Sequence, residues 1–256
     1  MEIAGRGRIL IWEGASLWLM EALPEADGSI KSTAAHAHHA IQVTLSLGGR
    51  FELRAGDRTV PGDAVVAPDV DHVFEAVGRI AILFVEPESR AGRAIAKALL
   101  HESDLAPLAP DMLGDLIARL DQAGRHAPVS EQALEEIGRQ MVQRLAGRAI
   151  ASLPDMRVRK MMDHVAARLD AGITLGVAAK AVGLSPGRAR HLFVEQTGLP
   201  FRSYVLWLRM TRAVGIMSAG RSLTDAAHEA GFADSAHFSR TFRRMFGLPA
   251  AALQIS

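Results

Sequence analysis

The stretch GFADSAHFSRTFRRMFG, Gly231 to Gly247, interleaves arginine with phenylalanine. Wound as a helix from Ser235, it collects Phe238, Phe242 and Phe246 on one stripe and Ala236, Arg240, Arg243 and Arg244 on another. The first stripe asks for an apolar core. The second carries guanidiniums, whose fixed fork of donors suits phosphate oxygens and the acceptor edge of guanine. A plain surface helix also has a charged face, so context has to decide. A second polar set lies near the other end of the chain, in HAHHAIQVTLSLGG. His36, His38, Gln42, Thr44 and Ser46 share parity, whereas Ile41, Val43, Leu45 and Leu47 point to the opposite face of a strand. Such a set lines either a polar ligand-binding lumen or the wet side of a sheet; His39 faces away and reads as structural.

Composition narrows the chemistry. The 256 residues include no cysteine, which removes disulfides, thiolate metal sites and thiol nucleophiles together, so any metal falls to His, carboxylate or amide groups. Net charge is +1, but from Pro154 to Ser256 there are 14 Lys+Arg against 7 Asp+Glu, which leaves 15 against 21 before it. A basic module joined to an acidic one points to a nucleic-acid partner for the basic part. No run approaches the ~18 apolar residues of a membrane span, and the apolar run in MEIAGRGRILIWEG is too short for a signal peptide. The expectation is a cytoplasmic protein with no membrane partner.

The elements that must position these residues change character along the chain. From Arg8 to Glu86, short apolar runs alternate with turn formers such as Gly48-Gly49, Gly56-Asp57 and Pro61-Gly62-Asp63, which predicts an antiparallel sandwich or barrel over residues 1–87. Residues 88–150 read as helices, with Leu134, Ile137, Met141 and Leu145 the clearest stripe. These helices either cover the barrel or pair with a second copy; the stripe exceeds what a solvated linker helix needs, so the helix Ser130 to Leu145 is expected to make a homodimer. Residues 154–256 form a third segment, and the fold class expected for the whole is two-domain α+β.

That third segment repeats itself. KAVGLSPGRARHLFVEQTGLP aligns with HEAGFADSAHFSRTFRRMFGLP, with Gly183 matching Gly231 and Phe193 matching Phe242. Each copy reads as a helix, a Gly-containing turn and a second helix, a helix-turn-helix pattern. Thr174, Ser222 and Asp234 are expected N-caps, Ser185 with Pro186 starts one trailing helix, and Ala178, Ala179, Ala226 and Ala227 allow close helix approach. Between the copies, FRSYVLWLRMTRAVGIMSAG predicts one helix of about 17 residues, roughly 25 Å, a spacer able to set two trailing helices into successive major grooves.

Residues Asp155 to about Leu253 resemble the DNA-binding domain of the AraC/XylS family of bacterial transcription regulators. The resemblance rests on Ser222-Leu223, Ala226-Ala227, Gly231-Phe232, Asp234-Ser235, Phe238-Ser239-Arg240, Phe242-Arg243, Phe246-Gly247 and Pro249. It implies double-stranded promoter or operator DNA as partner. Stripes and family pattern together assign Arg188, Arg190 and His191 of the first trailing helix to DNA, with Arg190 set for a bidentate contact to guanine. In the second, Ser235, Ala236, His237, Ser239 and Arg240 occupy the groove-facing positions, and Arg243 and Arg244 bind phosphate. Gly187 and Ala236 stand where the family often has larger side chains, which weakens base readout there. For Arg202, Arg209 and Arg212 a solvated face is an equal alternative.

The His36 stretch, with GDAVVAPDVDH ending on His72, resembles the two motifs of a cupin barrel. Gln42 replaces a frequent glutamate, and Asp69 replaces a frequent glycine. In metal-binding cupins the matching positions, here His36, His38, Gln42 and His72, hold a divalent metal; many regulator cupins have lost it. A metal, a metal-free small-molecule effector and no ligand role all stay open. The resemblances together imply a one-component regulator and not an enzyme, with contacts to RNA polymerase if it activates transcription; a cupin-type metal-dependent enzyme carrying a DNA-binding domain is the alternative.

Overall fold

The computed structural model describes residues 4–125, 130–147, 154–169 and 173–255. It divides into two compact units, one formed by Met1–Ala151 with Phe242–Ser256 and the other by Ser152–Thr241.

The first unit is built on one 10-stranded sheet. Its strands are β1 (Gly5–Trp12), β2 (Ala15–Ala22), β3 (Lys31–Ser32), β4 (Ile41–Ser46), β5 (Arg50–Ala55), β6 (Arg58–Pro61), β7 (Ala64–Val66), β8 (Val73–Val85), β9 (Leu105–Pro107) and β10 (Leu253–Ile255). The path runs β10-β1-β2-β8-β4-β7-β9 and is open among the described residues, with β3 and β5 also attached to β8 and β6 paired to β5. All pairings are antiparallel except β1 with β10. The centre is β8, which pairs with β3 and β5 over its first half and with β2 and β4 over its second. The change falls at Gly78, whose φ of 84° an L side chain adopts at a cost.

Helices α1 (Arg90–Ile95), α2 (Gly114–Arg125) and α3 (Glu131–Ala146) complete this unit. Ser130 caps α3 by accepting from the Ala133 amide at 3.2 Å. The stripe Leu134, Ile137, Met141 and Leu145 is buried in the same core as Leu10, Leu17, Val43, Leu83 and Leu120. At Gly138, a Cβ would come within 2.7 Å of the Trp12 ring, so α3 lies directly on the sheet. The expectation that this stripe joins two copies is therefore corrected: its own sheet covers it, and an amphipathic pattern does not say which surface does the covering.

The second unit carries α4 (Met156–Ala166), α5 (Leu175–Ala181), α6 (Pro186–Thr197), α7 (Phe201–Ser218) and α8 (Leu223–Glu229), and the division falls inside α9 (Ser235–Phe246). No helix of the described residues is long and apolar enough to cross a membrane. Phe193 is fully buried and packs edge-on against Phe201 at 5.3 Å and Tyr204 at 5.4 Å. Ala178, Ala179, Ala226 and Ala227 are buried as the close helix approach requires. Phe242–Ser256 groups with the sheet rather than with the segment from 154, because β10 adds itself to β1 and Phe246 packs on Trp18.

Candidate nucleic-acid interface and histidine pocket

The two helix-turn-helix copies close in the same way. The Leu184 amide donates to Ala179 O at 3.0 Å and the Phe232 amide to Ala227 O at 2.9 Å, each across a left-handed glycine, Gly183 or Gly231. Ser185 then caps α6 and Asp234 accepts from the His237 amide at 2.6 Å to start α9. These caps turn the trailing helices so that Ala189 and Phe193, or Phe238 and Phe242, face inward and are buried.

What remains outside is the set the sequence singled out. Arg188, Arg190 and His191 of α6 are exposed, as are Ser235, Ala236, Arg240, Arg243 and Arg244 of α9. His237 and Ser239 are half-buried, and the His237 ring lies 5.3 Å from Phe232. Among the described residues, Arg188, Arg190, Arg240, Arg243 and Arg244 form no ion pair, which leaves five guanidiniums to other anions. Other arginines of this half are committed. Arg209 donates to Leu169 O at 3.0 Å, and Arg221 pairs with Glu229 at 2.8 Å. For Arg209 that bond ties α7 to the segment that follows α4.

The histidines gather in the first unit. His36 and His72 face each other across an antiparallel bridge with ring centroids 4.2 Å apart, and His38 stands 5.1 Å from His72. One ligand nitrogen from each of the three lies within 4.8 Å of the others. His36, His38, Gln42 and Thr44 are all no more than 5% exposed, so the shared face is an interior, not the wet side of a sheet. His36 Nδ1 lies 2.9 Å from Ala34 O and His72 Nδ1 2.9 Å from Val70 O. A carbonyl only accepts, so both Nδ1 atoms carry the proton and both Nε2 atoms present lone pairs. The buried His72 Nε2 has no hydrogen-bond partner among the described residues.

Gln42 is placed beside His38, not as a fourth open oxygen. Its Oε1 accepts from His38 Nε2 at 2.9 Å, while its Nε2 donates to Thr44 Oγ1 at 2.9 Å. Burial, with the charge of His72 next, pushes His36 down to about 4 and His38 to about 3; burial also lowers His72. The cluster is thus neutral at neutral pH. Beside it opens a cavity of ≈ 100 Å³ lined by His36, Gln42 and Thr33 with Trp18, Ile82 and Phe84, among others.

Sequence reasoning set His39 apart as structural but did not find its partners. His39 lies between Asp69, 2.7 Å from Nδ1, and Glu88, in close contact with Nε2. Asp69 has a φ of 62°, a left-handed conformation that glycine adopts freely; a short carboxylate tolerates it and here also binds His39.

Comparison with known proteins follows the geometry. A family model described as a helix-turn-helix domain matches residues 178–254, both copies except the start of the first. The arabinose operon regulatory protein of Escherichia coli is 32% identical over 95 residues, 36% of this chain and 32% of that protein. The transcriptional activator NphR of Rhodococcus is 31% identical over 147 residues, 52% of this chain and 44% of that protein. The helix-turn-helix part of the chain is therefore similar to that of AraC/XylS regulators. Its match spans less than half the length of either of those relatives. Among solved structures, ToxT of Vibrio cholerae superposes with a TM-score of 0.59 at 11% identity, over 93% of this chain and 95% of that one. Another ToxT structure, with an unsaturated fatty acid bound, superposes with a TM-score of 0.58, covering 97% of this chain and 94% of that one. At such identity the likeness shows the fold alone, which the two chains share.

Proposed function

We infer that this protein is a member of the AraC/XylS family, a cytoplasmic, sequence-specific transcription regulator whose N-terminal, cupin-like unit takes an effector and whose two helix-turn-helix copies hold operator DNA. One observation carries the reading: two trailing helices, each with a side-chain cap after a left-handed glycine turn, present five exposed guanidiniums free of ion pairs among the described residues. Arg190 and Arg240 read base edges, with His191, Ser235, Ala236, His237 and Ser239 beside them; Arg188, Arg243 and Arg244 hold phosphates. Homodimerisation and contact with RNA polymerase belong to the same reading.

Replacing Arg190 or Arg240 by Ala should cost roughly 1–3 kcal/mol on the preferred site and relax preference at one base pair. Arg243→Ala should weaken all sequences alike. Binding curves on operator duplexes carrying single base-pair changes check this; uniform loss in all three variants would remove the assignment.

The pocket supports a small effector, largely apolar with one hydrogen-bonding end, because the wall is aromatic and aliphatic and the polar groups are His36, Gln42 and Thr33. The fatty acid held by ToxT, a protein of the same fold, is of that type. Three neutral imidazoles in reach of one point also fit a divalent ion, and suit Zn, Ni, Co or Cu better than Mg or Ca, which prefer anionic oxygen. His36, His38 and His72 would hold it, with Gln42 orienting His38. Purified protein should then retain about one equivalent of Zn or Ni, and the His36→Ala, His38→Ala pair none. No metal in the wild type and an unchanged reporter response in the pair would limit the histidines to wall residues. Because three imidazoles leave coordination positions open, the enzyme alternative rests on the same cluster; turnover of candidate metabolites with added Fe, Mn or Zn, absent operator binding, would favour it.

A further inference from the structure

Part of the wall of the His36 cavity comes from the end of the chain. Phe246, Leu248 and Leu253 line it together with the sheet. The Ala34 amide donates to Gly247 O at 3.0 Å, the Ala4 amide donates to Ala252 O at 2.8 Å, and β10 runs beside β1 in the register Gly5↔Leu253 to Gly7↔Ile255. Phe246 stacks 5.2 Å from Trp18, 5.9 Å from Phe84 and 6.2 Å from His38. The fit at the turn is close. A Cβ on Gly247, whose φ is +70°, would lie 2.4 Å from Ala34 O and 2.7 Å from His36 Nδ1.

The cavity measures ≈ 100 Å³, against roughly 300–1,000 Å³ for ordinary small-molecule pockets. Any ligand beyond a few heavy atoms needs a wall to yield. Trp18, Ile80, Ile82 and Phe84 sit inside the β2 and β8 ladders, paired along their length. The tail is held at the sheet edge by a parallel ladder of three residues. It is the part that can leave without breaking the sheet.

Resting on the reading of this cavity as the effector pocket, we propose that Phe246, Leu248 and Leu253 are effector-contacting residues, and that effector entry displaces the tail from β1. The displaced segment is continuous with α9, so occupancy is passed along one helix to Arg240. Two states of the tail then carry two operator affinities, and by linkage operator DNA changes ligand affinity by the same factor.

The test uses the full chain and two independent readouts. Leu253→Asp weakens the tail's apolar hold, and Gly247→Ala drives a methyl against Ala34 O and His36 and so pushes the turn away; each should shift the operator dissociation constant about tenfold or more at fixed salt while the far-UV spectrum is unchanged. A disulfide from Arg6→Cys and Gln254→Cys, Cα partners outside the pocket, would lock the tail in a chain with no other cysteine. Oxidised, this variant should lose the effect of oleate, an apolar chain with one hydrogen-bonding end, on operator affinity, and reduction should restore it. Oleate binding itself is measured separately by calorimetry. If oleate does not bind, the reading of the cavity as a pocket for such an effector fails and the two tail substitutions decide. Wild-type operator affinity in both of them, or an undiminished oleate effect in the oxidised lock, overturns the proposal.

Discussion

Replacing His39 by Leu is expected to destabilise the N-terminal unit by about 3–5 kcal/mol, the cost of stranding a buried charge. Glu88 is 4% exposed and meets His39 Nε2 directly, while Asp69 holds Nδ1 from the half-exposed side. Without the imidazolium, Asp69 can rehydrate and Glu88 cannot. Burial alone would lower the His39 pKa, but hydrogen bonds to Asp69 and Glu88 and their charges outweigh it and hold the ring at about 9. A folded value above the unfolded 6.5 means the stabilisation is complete below about pH 6.5 and is lost as pH rises toward 9. Glu86, pushed up to about 7 by burial and then by Glu88, also weakens the fold with rising pH, but in the lower window from 4.5 to 7. Urea unfolding at pH 7 and pH 9, above the Glu86 window, should show the wild type losing stability and His39→Leu nearly flat. Equal unfolding midpoints for the two proteins at pH 7 would remove the clamp from the account.

Operator binding should collapse with salt. If Arg188, Arg243 and Arg244 each neutralise a phosphate, log K falls with log salt at a slope of about −2.7, and if Arg190 and Arg240 add to them, about −4.5. A rise from 50 to 200 mM salt then weakens each bound chain roughly 40- to 500-fold. The term is this large because these side chains stand in water with no carboxylate partner among the described residues, so their counter-charge in the complex comes from DNA. Arg221, paired with Glu229 at 2.8 Å, should contribute little. Fluorescence anisotropy across that salt range reads the slope, and a slope near zero would mean that the guanidiniums do not meet phosphate.

Local signals carried the helical half. Ser185, Ser222 and Asp234 cap where their types suggest, Gly183 and Gly231 take the left-handed turn, and the spacer expected at about 17 residues is α7, with 18. The parity of His36, His38 and Gln42 also placed them on one face, although only burial shows that the face is interior. What escaped the sequence is non-local. Asp69 and Glu88 lie 30 and 49 residues from His39, and no spacing rule joins them. The tail LQI is three residues long, too short for an alternating pattern, and its partner β1 lies at the far end of the chain. The α3 stripe was visible, yet its period says nothing of whether a sheet or a second copy covers it. His237 and Ser239, assigned to the groove from the family pattern, are half-buried, and Phe232 packs against the His237 ring.

The central claim is that the two trailing helices together recognise a specific operator. The most direct measurement is selection of genomic fragments by the purified full chain at about 150 mM salt, repeated with the Arg190→Ala, Arg240→Ala double variant. The account predicts enriched fragments sharing two short elements about one helical turn, ~34 Å, apart, with both elements degraded in the variant. Recovery of fragments with no shared sequence, or the same sequence from wild type and double variant, would contradict it.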